Sequence, residues 1–435
     1  MIWTADDLAA ATRGATRTLF NATGVSIDTR TLQPGDLFIA LRGEHGDGHD
    51  HVAEALAKGA AGALVDRDLP GATLLVHDTL DALWGMGHYA RARFRGKMVA
   101  VTGSVGKTTT KEMLRSIFAA AGPTYASPAS YNNQWGVPLT LARIPLGTQF
   151  CVAEIGTNHP GEIRPLSLMV KPHVAVITAV EAAHIGHFGS IEAIADEKSA
   201  IGDGLLPGGI AILPADSAML GRLAPRAARI DTFGIAQIIA MHPDIDGTDV
   251  EAQIENRDIK FRINAPGAHM VRNAMAALVT ANALGVDGSA AIAGFRPGAG
   301  RGMRRELTGG IKLIDESYNA NGASVRAALD VLRSMPGRRV AVLGDMLELG
   351  TEGPAEHAAL AAPVAQSADL VFACGPLMQG LFTALPQDLR GGYQPDSATL
   401  APVVAAAVQS GDAVLVKGSL GSRMAVVVRA LEAVG

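Results

Sequence analysis

The chain has 435 residues, of which 48% are hydrophobic and 18% charged, and a formal net charge of −5. Such a length carries about two to four domains, and this balance excludes a disordered chain and a basic nucleic-acid binder. The basic group Arg301, Arg304 and Arg305 is too small to track a nucleic-acid backbone.

Two cysteines, Cys151 and Cys374, stand far apart in apolar runs. They give no disulfide framework and fit a reducing compartment. No apolar run reaches the roughly 18 residues of a membrane span. The start "MIWTADDLAAAT" is acidic and lacks the basic region of a signal peptide. A cytoplasmic protein is expected.

In chain order, residues 1–95 hold "SIDTRTLQPGDLFIAL", a helical "HVAEALAKGA" and a strand-like "AGALVD". Residues 96–302 open on the strand "KMVAVTG" and the helix "KTTTKEMLRSIFAAAG", with Leu114, Ile117 and Phe118 on one face. The strands "FCVAEIG", "VAVITAV" and "GIAILPAD" follow. Strands alternating with helices predict a parallel α/β sheet. The glycine-rich "FRPGAGRGMRRE" reads as a linker. Residues 303–435 alternate again, from "IKLIDESYNAN" through helix "SVRAALDVLRSM", strand "RRVAVLGD", one helix "AEHAALAAPVAQ" and strands "DLVFACG" and "DAVLVKG" to the helix "MAVVVRALEAVG". This is a Rossmann-like, doubly wound pattern, but its first turn lacks the dinucleotide fingerprint.

The chemistry starts at "VTGSVGKTTT", residues 101–110. A phosphate loop reads G-x-x-x-x-G-K-[ST]. Here the first glycine is Gly103 and Val101 stands where the usual one would be. The context is otherwise right: a strand, a glycine turn, Lys107, the hydroxyl of Thr108, then a helix. Gly103 and Gly106 let backbone N–H groups face oxygens. Lys107 supplies a point charge and Thr108 a hydroxyl for Mg²⁺. Glu154 ends the next strand, on the rim that strand C-termini share, and offers the carboxylate a hard cation needs. No guanine-reading N-K-x-D is present.

Read together, "TGSVGKTT", "YNNQWGVPLTL", "AEIGTNHPGEI", "AHIGHFGS", "IADEKSAI", "HMVRNAMAAL", "GRGMR", "DESYNAN", "VLGDMLELG" and "KGSLGSRM" resemble the Mur ligase family along nearly the whole chain. The shortened loop is that family's own variant. "DESYNAN" with "GDMLELG", and no D-N-P-R motif, resembles the branch that adds D-alanyl-D-alanine to UDP-N-acetylmuramoyl-tripeptide.

The resemblance implies three domains: an N-terminal uridine-binding α/β domain, a central P-loop ATPase-like parallel sheet and a C-terminal Rossmann-like domain. It implies ATP, two Mg²⁺ ions and a cytoplasmic enzyme of peptidoglycan synthesis; a monomer is expected. Thr102, Gly103, Ser104, Val105, Gly106, Lys107, Thr108 and Thr109 would hold the phosphates. Asn273, Arg301 and Asp315 would contact the rest of ATP. Thr108, Glu154, His184 and a carbamylated Lys198 would hold metal, with Lys107, Lys198 and His184 catalytic. Ser26, Asp28, Thr29, Arg30, Gly43, Asp47, Gly48 and His49 would cradle the uridine diphosphate. Asn132 and Asn133 would face the muramoyl part, and Asn319, Asn321 and Lys417 the dipeptide. The family's acidic residue two positions after the modified lysine is Ala200 here, with Glu197 or Asp196 expected to compensate. Two alternatives stay open at this stage: another amide ligase of the same fold, such as the diaminopimelate-adding enzyme, and a module in which ATP drives closure without ligation.

Overall fold

Met98, Val99, Ala100 and Val101 are all fully buried, in the middle of a six-stranded sheet. A strand with helices on both faces needs apolar side chains at every position. Met98 and Ala100 point into one core and Val99 and Val101 into another, following the two-residue period of a strand. The structure is a computed structural model, and it describes residues 2–434 other than 17, 44–45, 183–184, 224–226 and 245.

The strands of the central sheet lie in the order Arg229–Phe233, Ile210–Pro214, Val174–Ile177, Lys97–Thr102, Phe150–Glu154, Thr124–Ala126, all parallel. Helices Lys107–Ala121 and Ala268–Ala283 cover one face. Leu114, Ile117 and Phe118 are buried as their spacing predicts, and Phe118 stacks on Phe150 with ring centres 4.7 Å apart.

The N-terminal sheet orders its strands Ala15–Thr16, Thr73–Leu75, Gly62–Val65, Asp36–Ile39, Gly24–Ser26. Val25, Leu37, Ile39, Leu64 and Leu74 share one core with the central sheet, while Phe38, Ala63 and Val65 pack in a separate cluster on the other face. Polar side chains fasten the junction: the Trp3 and Trp84 indoles donate to the carbonyls of Ala142 and Gln134 (both 2.9 Å), and Arg143 donates to Val25 (2.5 Å).

The third sheet runs Met303–Leu307, Ile311–Glu316, Ala413–Lys417, Arg339–Gly344, Leu370–Cys374, Arg390–Gln394. All its neighbours are parallel except the first pair, so the expected linker ends in an antiparallel edge strand, with Met303 opposite Asp315. The expected single helix over "AEHAALAAPVAQ" is two, Gly353–Ala358 and Ala361–Ser367. Pro363 has no N–H for the Ala359 carbonyl and breaks the run.

An antiparallel sheet of Ile238–Pro243, Thr248–Ile254 and Arg257–Ile263 was not expected. Its tight turn is Glu255-Asn256, both with positive φ (47° and 63°), as a type I′ hairpin requires. Both cysteines are free and buried. Among the described residues no helix is long and apolar enough to cross a membrane.

Candidate active site

The strand Lys97–Thr102 delivers its chain into a glycine turn at the C-terminal rim of the sheet, and helix Lys107–Ala121 begins at once. Gly106 has φ 84° and a side chain there would run into Asn273, so only glycine lets the loop lie against the helix Ala268–Ala283. Thr178 pins the loop, donating to the carbonyls of Val105 (2.5 Å) and Thr102 (3.2 Å). The Ser104 amide donates to Ala179 (2.9 Å), and its hydroxyl is spent on the backbone of Glu181. The amides of Lys107, Thr108 and Thr109 open the helix, have no intrahelical acceptor, and are the donors left for an anion. The Lys107 ammonium folds back on the Gly103 carbonyl (2.7 Å). Burial pulls its pKa below the usual lysine value, Glu154 opposes this, and Arg301 adds to it.

Four side chains from four segments form a relay beside the loop. Arg301 donates to the Ser130 hydroxyl (2.8 Å), Ser130 lies 3.1 Å from the Thr108 hydroxyl, and Thr108 donates to Glu154 Oε2 (2.8 Å). Asn132 donates to the other Glu154 oxygen (2.8 Å). Glu154 is 1% exposed, and its direct partners are neutral. A buried carboxylate held only by neutral donors is a seat for a cation. Arg301 lies over the Tyr318 ring at 3.9 Å. A cleft of about 540 Å³ opens between the central and third sheets, lined by Lys107, Glu154, Asn273, Arg301 and Lys417 among others. A second hollow of about 650 Å³ adjoins it past Thr109 and Tyr318.

Lys198 sits on helix Ile191–Ser199, 3% exposed. Its pKa is pulled down to about 7 by burial and by Lys107, with Glu197 opposing. Neither acid expected to compensate for Ala200 is free to do so. Glu197 accepts from the amides of Gly161 (2.7 Å) and Ile163 (2.8 Å), and Asp196 is paired with Arg222 (2.9 Å). His184 lies outside the described residues.

Other residues expected to contact ligand are hydrogen-bonded within the chain, and Asn319, Asn321 and Lys417 also line the cleft. Asp315 is buried and accepts from the Gly300 amide and from the Ser317 amide and hydroxyl, which fixes the turn that presents Arg301. Asn321 caps helix Gly322–Arg333, Asn133 accepts from the amides of Trp135 and Gly136, and Asn319 accepts from the Ala320 amide. Lys417 is buried between Glu316 (3.2 Å) and the Asn319 carbonyl (3.0 Å).

In the first block Ser26 is buried and bonded within its own turn, Asp28 pairs with Arg30 (2.6 Å), and the Thr29 carbonyl accepts from Lys58 (3.1 Å). The buried His49 donates from Nδ1 to Asp47 (2.5 Å) and accepts at Nε2 from the Asp66 amide (3.1 Å). Against the cost of burial, the His49 amide and ring, with Arg67, hold the Asp47 pKa down to about 2. Gly48 lies so close to Leu41 that an added Cβ would be 2.7 Å from its carbonyl oxygen. An added Cβ at Gly43 would come within 3.3 Å of the rim of the Trp135 ring, so this loop reaches the edge of the Asn132 segment.

Sequence reasoning missed Ser130, Thr178 and Tyr318. The available signal was position: a hydroxyl next to "YNN", a hydroxyl ending "VAVIT", and the ring inside "DESYNAN".

Family models match the chain in three stretches: the Mur ligase middle domain at residues 101–281, the Mur ligase glutamate ligase domain at 300–420, and the Mur ligase family catalytic domain at 21–76. The UDP-N-acetylmuramoyl-tripeptide–D-alanyl-D-alanine ligase of Escherichia coli K12 is 36% identical over 429 residues, covering 94% of this chain and 93% of its own. The ligase of the same name from Bacillus subtilis 168 is 33% identical, covering 94% and 93%. A crystal structure of MurF from Acinetobacter baumannii superposes with a TM-score of 0.88 at 32% identity over 99% of each chain. MurF from Thermotoga maritima in complex with ADP gives 0.82 at 27% identity, over 94% and 97%. With full-length relatives at this identity, and with the shortened phosphate loop, Glu154 and Arg301 gathered at one cleft, the chain belongs to the Mur ligase family.

Proposed function

We propose that the chain is an ATP-dependent amide ligase of peptidoglycan synthesis, which joins the C-terminal carboxylate of UDP-N-acetylmuramoyl-tripeptide to the amine of D-alanyl-D-alanine. The observation that carries this reading is the Arg301–Ser130–Thr108–Glu154 relay at the mouth of the short phosphate loop, in a chain whose curated relatives bear that ligase name.

A carboxylate is a poor electrophile, so it first needs a leaving group. Its oxygen attacks the γ-phosphorus of ATP, the bond from that phosphorus to the bridging oxygen breaks, and ADP departs. The amine then attacks the acyl carbon and loses a proton, and the tetrahedral adduct collapses to the amide as phosphate leaves. The protein mainly positions the reactants and offsets charge. The first-turn amides and Lys107 hold the phosphates, and Lys107 meets the charge that grows on the transferring group. Arg301, stacked on Tyr318, brings a second positive charge from beyond the linker.

A hard cation fits Thr108 and Glu154, a hydroxyl and a carboxylate oxygen 2.8 Å apart. Bound there, Mg²⁺ supplies charge neutralisation on the phosphates. A second ion would take His184 and a carbamate on Lys198. Lys198 suits that change. Burial and Lys107 lower the pKa of its amine, which favours the neutral form to whose nitrogen CO₂ can add with release of a proton. The product exchanges an ammonium repelled by Lys107 for an anion attracted to it.

Residues 1–95, 96–302 and 303–435 serve as the uridine, ATP and closing units. The first segment's uridine role rests on the turn at Ser26–Arg30 and the loop beside Trp135. The site needs no residue from a second chain for its relay, in keeping with a monomer, and we place the enzyme in the cytoplasm.

Phosphate release with UDP-N-acetylmuramoyl-tripeptide while candidate amines are varied tests the reaction. D-alanyl-D-alanine gives rapid release, and free diaminopimelate or lysine gives little. Comparable release with a free diamino acid contradicts the assignment.

A further inference from the structure

From Arg91 to Lys97 the sequence is R-A-R-F-R-G-K, with a cation at every second position, a denser basic run than the one around residue 301. It lies where helix Thr79–Arg93 passes into strand Lys97–Thr102. A pocket of about 320 Å³ opens there. His88, Arg91 and Arg95 form one wall, Lys171 and His173 the other, and Phe94 and Met169 give it an apolar floor. The phosphate loop is at the opposite end of the same strand, roughly 20 Å away at about 3.3 Å per residue. The two sites cannot share one ligand.

The cations in this pocket have no counter-charge. Among the described residues the pocket's Arg91, Arg95 and Lys171 form no ion pair, nor does Lys97 just outside its lining, whereas Arg93 is paired with Asp7 (3.7 Å). Arg91 is buried and binds the carbonyls of Val170 (2.5 Å) and Lys171 (2.6 Å) through Nε and Nη2, which leaves Nη1 as a further donor. His173 accepts the Met98 amide at Nδ1 (2.9 Å), so its ring proton is on Nε2. Burial lowers the pKa of both histidines, and the charges that act on them are positive: Lys171 on His88, and Lys97 and Arg91 on His173. Concentrated positive charge in a protein of net charge −5 is a standing cost that an anion would remove.

We propose that this pocket binds a small phosphate-bearing anion and thereby ties the end of helix Thr79–Arg93 to the turn at Lys171–His173. A guanidinium, an ammonium and an imidazole N–H lining one pocket suit a multiply charged tetrahedral oxyanion. The volume, near the lower end of about 300–1,000 Å³ for ligand sites, leaves room for a short organic group on the apolar floor. The two walls come from different blocks, so a bound anion bridges them.

Calorimetric titration of glycerol 3-phosphate and of inorganic phosphate into protein already saturated with a non-hydrolysable ATP analogue and Mg²⁺, so that the γ-phosphate position is filled, tests this. The comparison protein carries Arg95→Ser and Lys171→Asn. Both positions are exposed, and asparagine tolerates the left-handed backbone at 171 (φ 45°). The wild type takes up one equivalent, and the double variant binds at least about tenfold more weakly with affinity for the ATP analogue unchanged. If the double variant binds the analogue poorly, Lys171→Asn alone carries the comparison. Equal phosphate affinity in both forms, or no uptake by the wild type, overturns the proposal. So does sedimentation of the wild type with phosphatidic acid vesicles when neither soluble phosphate binds.

Discussion

Lys107→Ala lowers turnover by about 10²–10³, the usual loss when one pre-aimed electrostatic donor is removed from a charge-developing transition state. The lysine begins the helix at the mouth of the loop, and its ammonium is held only by the Gly103 carbonyl (2.7 Å), a contact that incoming phosphate oxygens can replace. Alanine favours a helix, so the loop keeps its backbone and its amide donors. The loss therefore falls chiefly on kcat. Steady-state kinetics with saturating tripeptide and dipeptide check this, and a near-normal kcat means that the loop does not act on the transferring group.

Lys198→Ala lowers ligation by at least about 10²-fold, and a short added carboxylic acid restores part of it. Alanine leaves a cavity where the side chain was, near enough to Lys107 for the two charges to interact, and a small carboxylate can occupy the carbamate's place. Because Glu197 and Asp196 are bound to other partners, this site has no spare acid to cover the loss. A second readout does not depend on activity. ¹³C NMR of the wild type under ¹³CO₂ shows a carbamate resonance that is missing in Lys198→Ala. Full activity of the variant, or the same resonance in both proteins, contradicts the assignment.

The phosphate loop, its helix and Glu154 were readable from sequence because their chemistry is local. Lys107 and Thr108 follow the glycine turn directly, and Glu154 ends the strand paired with Val101. The relay was not readable. Arg301 and Ser130 are 171 positions apart, and only the approach of the third sheet brings them together. Several motif residues have side chains that also organise backbone, among them Asn321, which was read as a dipeptide contact. Asn321 with Ser324 forms a capping box whose spacing is visible in the sequence. Asp345 of "GDMLELG" accepts from the Met378 amide (2.8 Å) at the start of helix Met378–Ala384. Lys111, in the same helix as Lys107, is buried and holds the carbonyls of Ser127 (2.6 Å) and Ala129 (3.2 Å), which sets the segment that carries Ser130. The hairpin at residues 248–263 carried a two-residue alternation, but Glu255-Asn256 lacks the glycine that usually marks such a turn.

Ligation through an acyl phosphate is tested most directly by the fate of oxygen. UDP-N-acetylmuramoyl-tripeptide labelled with ¹⁸O in its C-terminal carboxylate is turned over with ATP and D-alanyl-D-alanine, and the released phosphate is analysed by mass spectrometry. The carboxylate oxygen that attacks the γ-phosphorus leaves with it, so each amide formed yields one ¹⁸O-bearing phosphate. Phosphate without label would mean that water, not the carboxylate, receives the phosphoryl group, and would contradict the account.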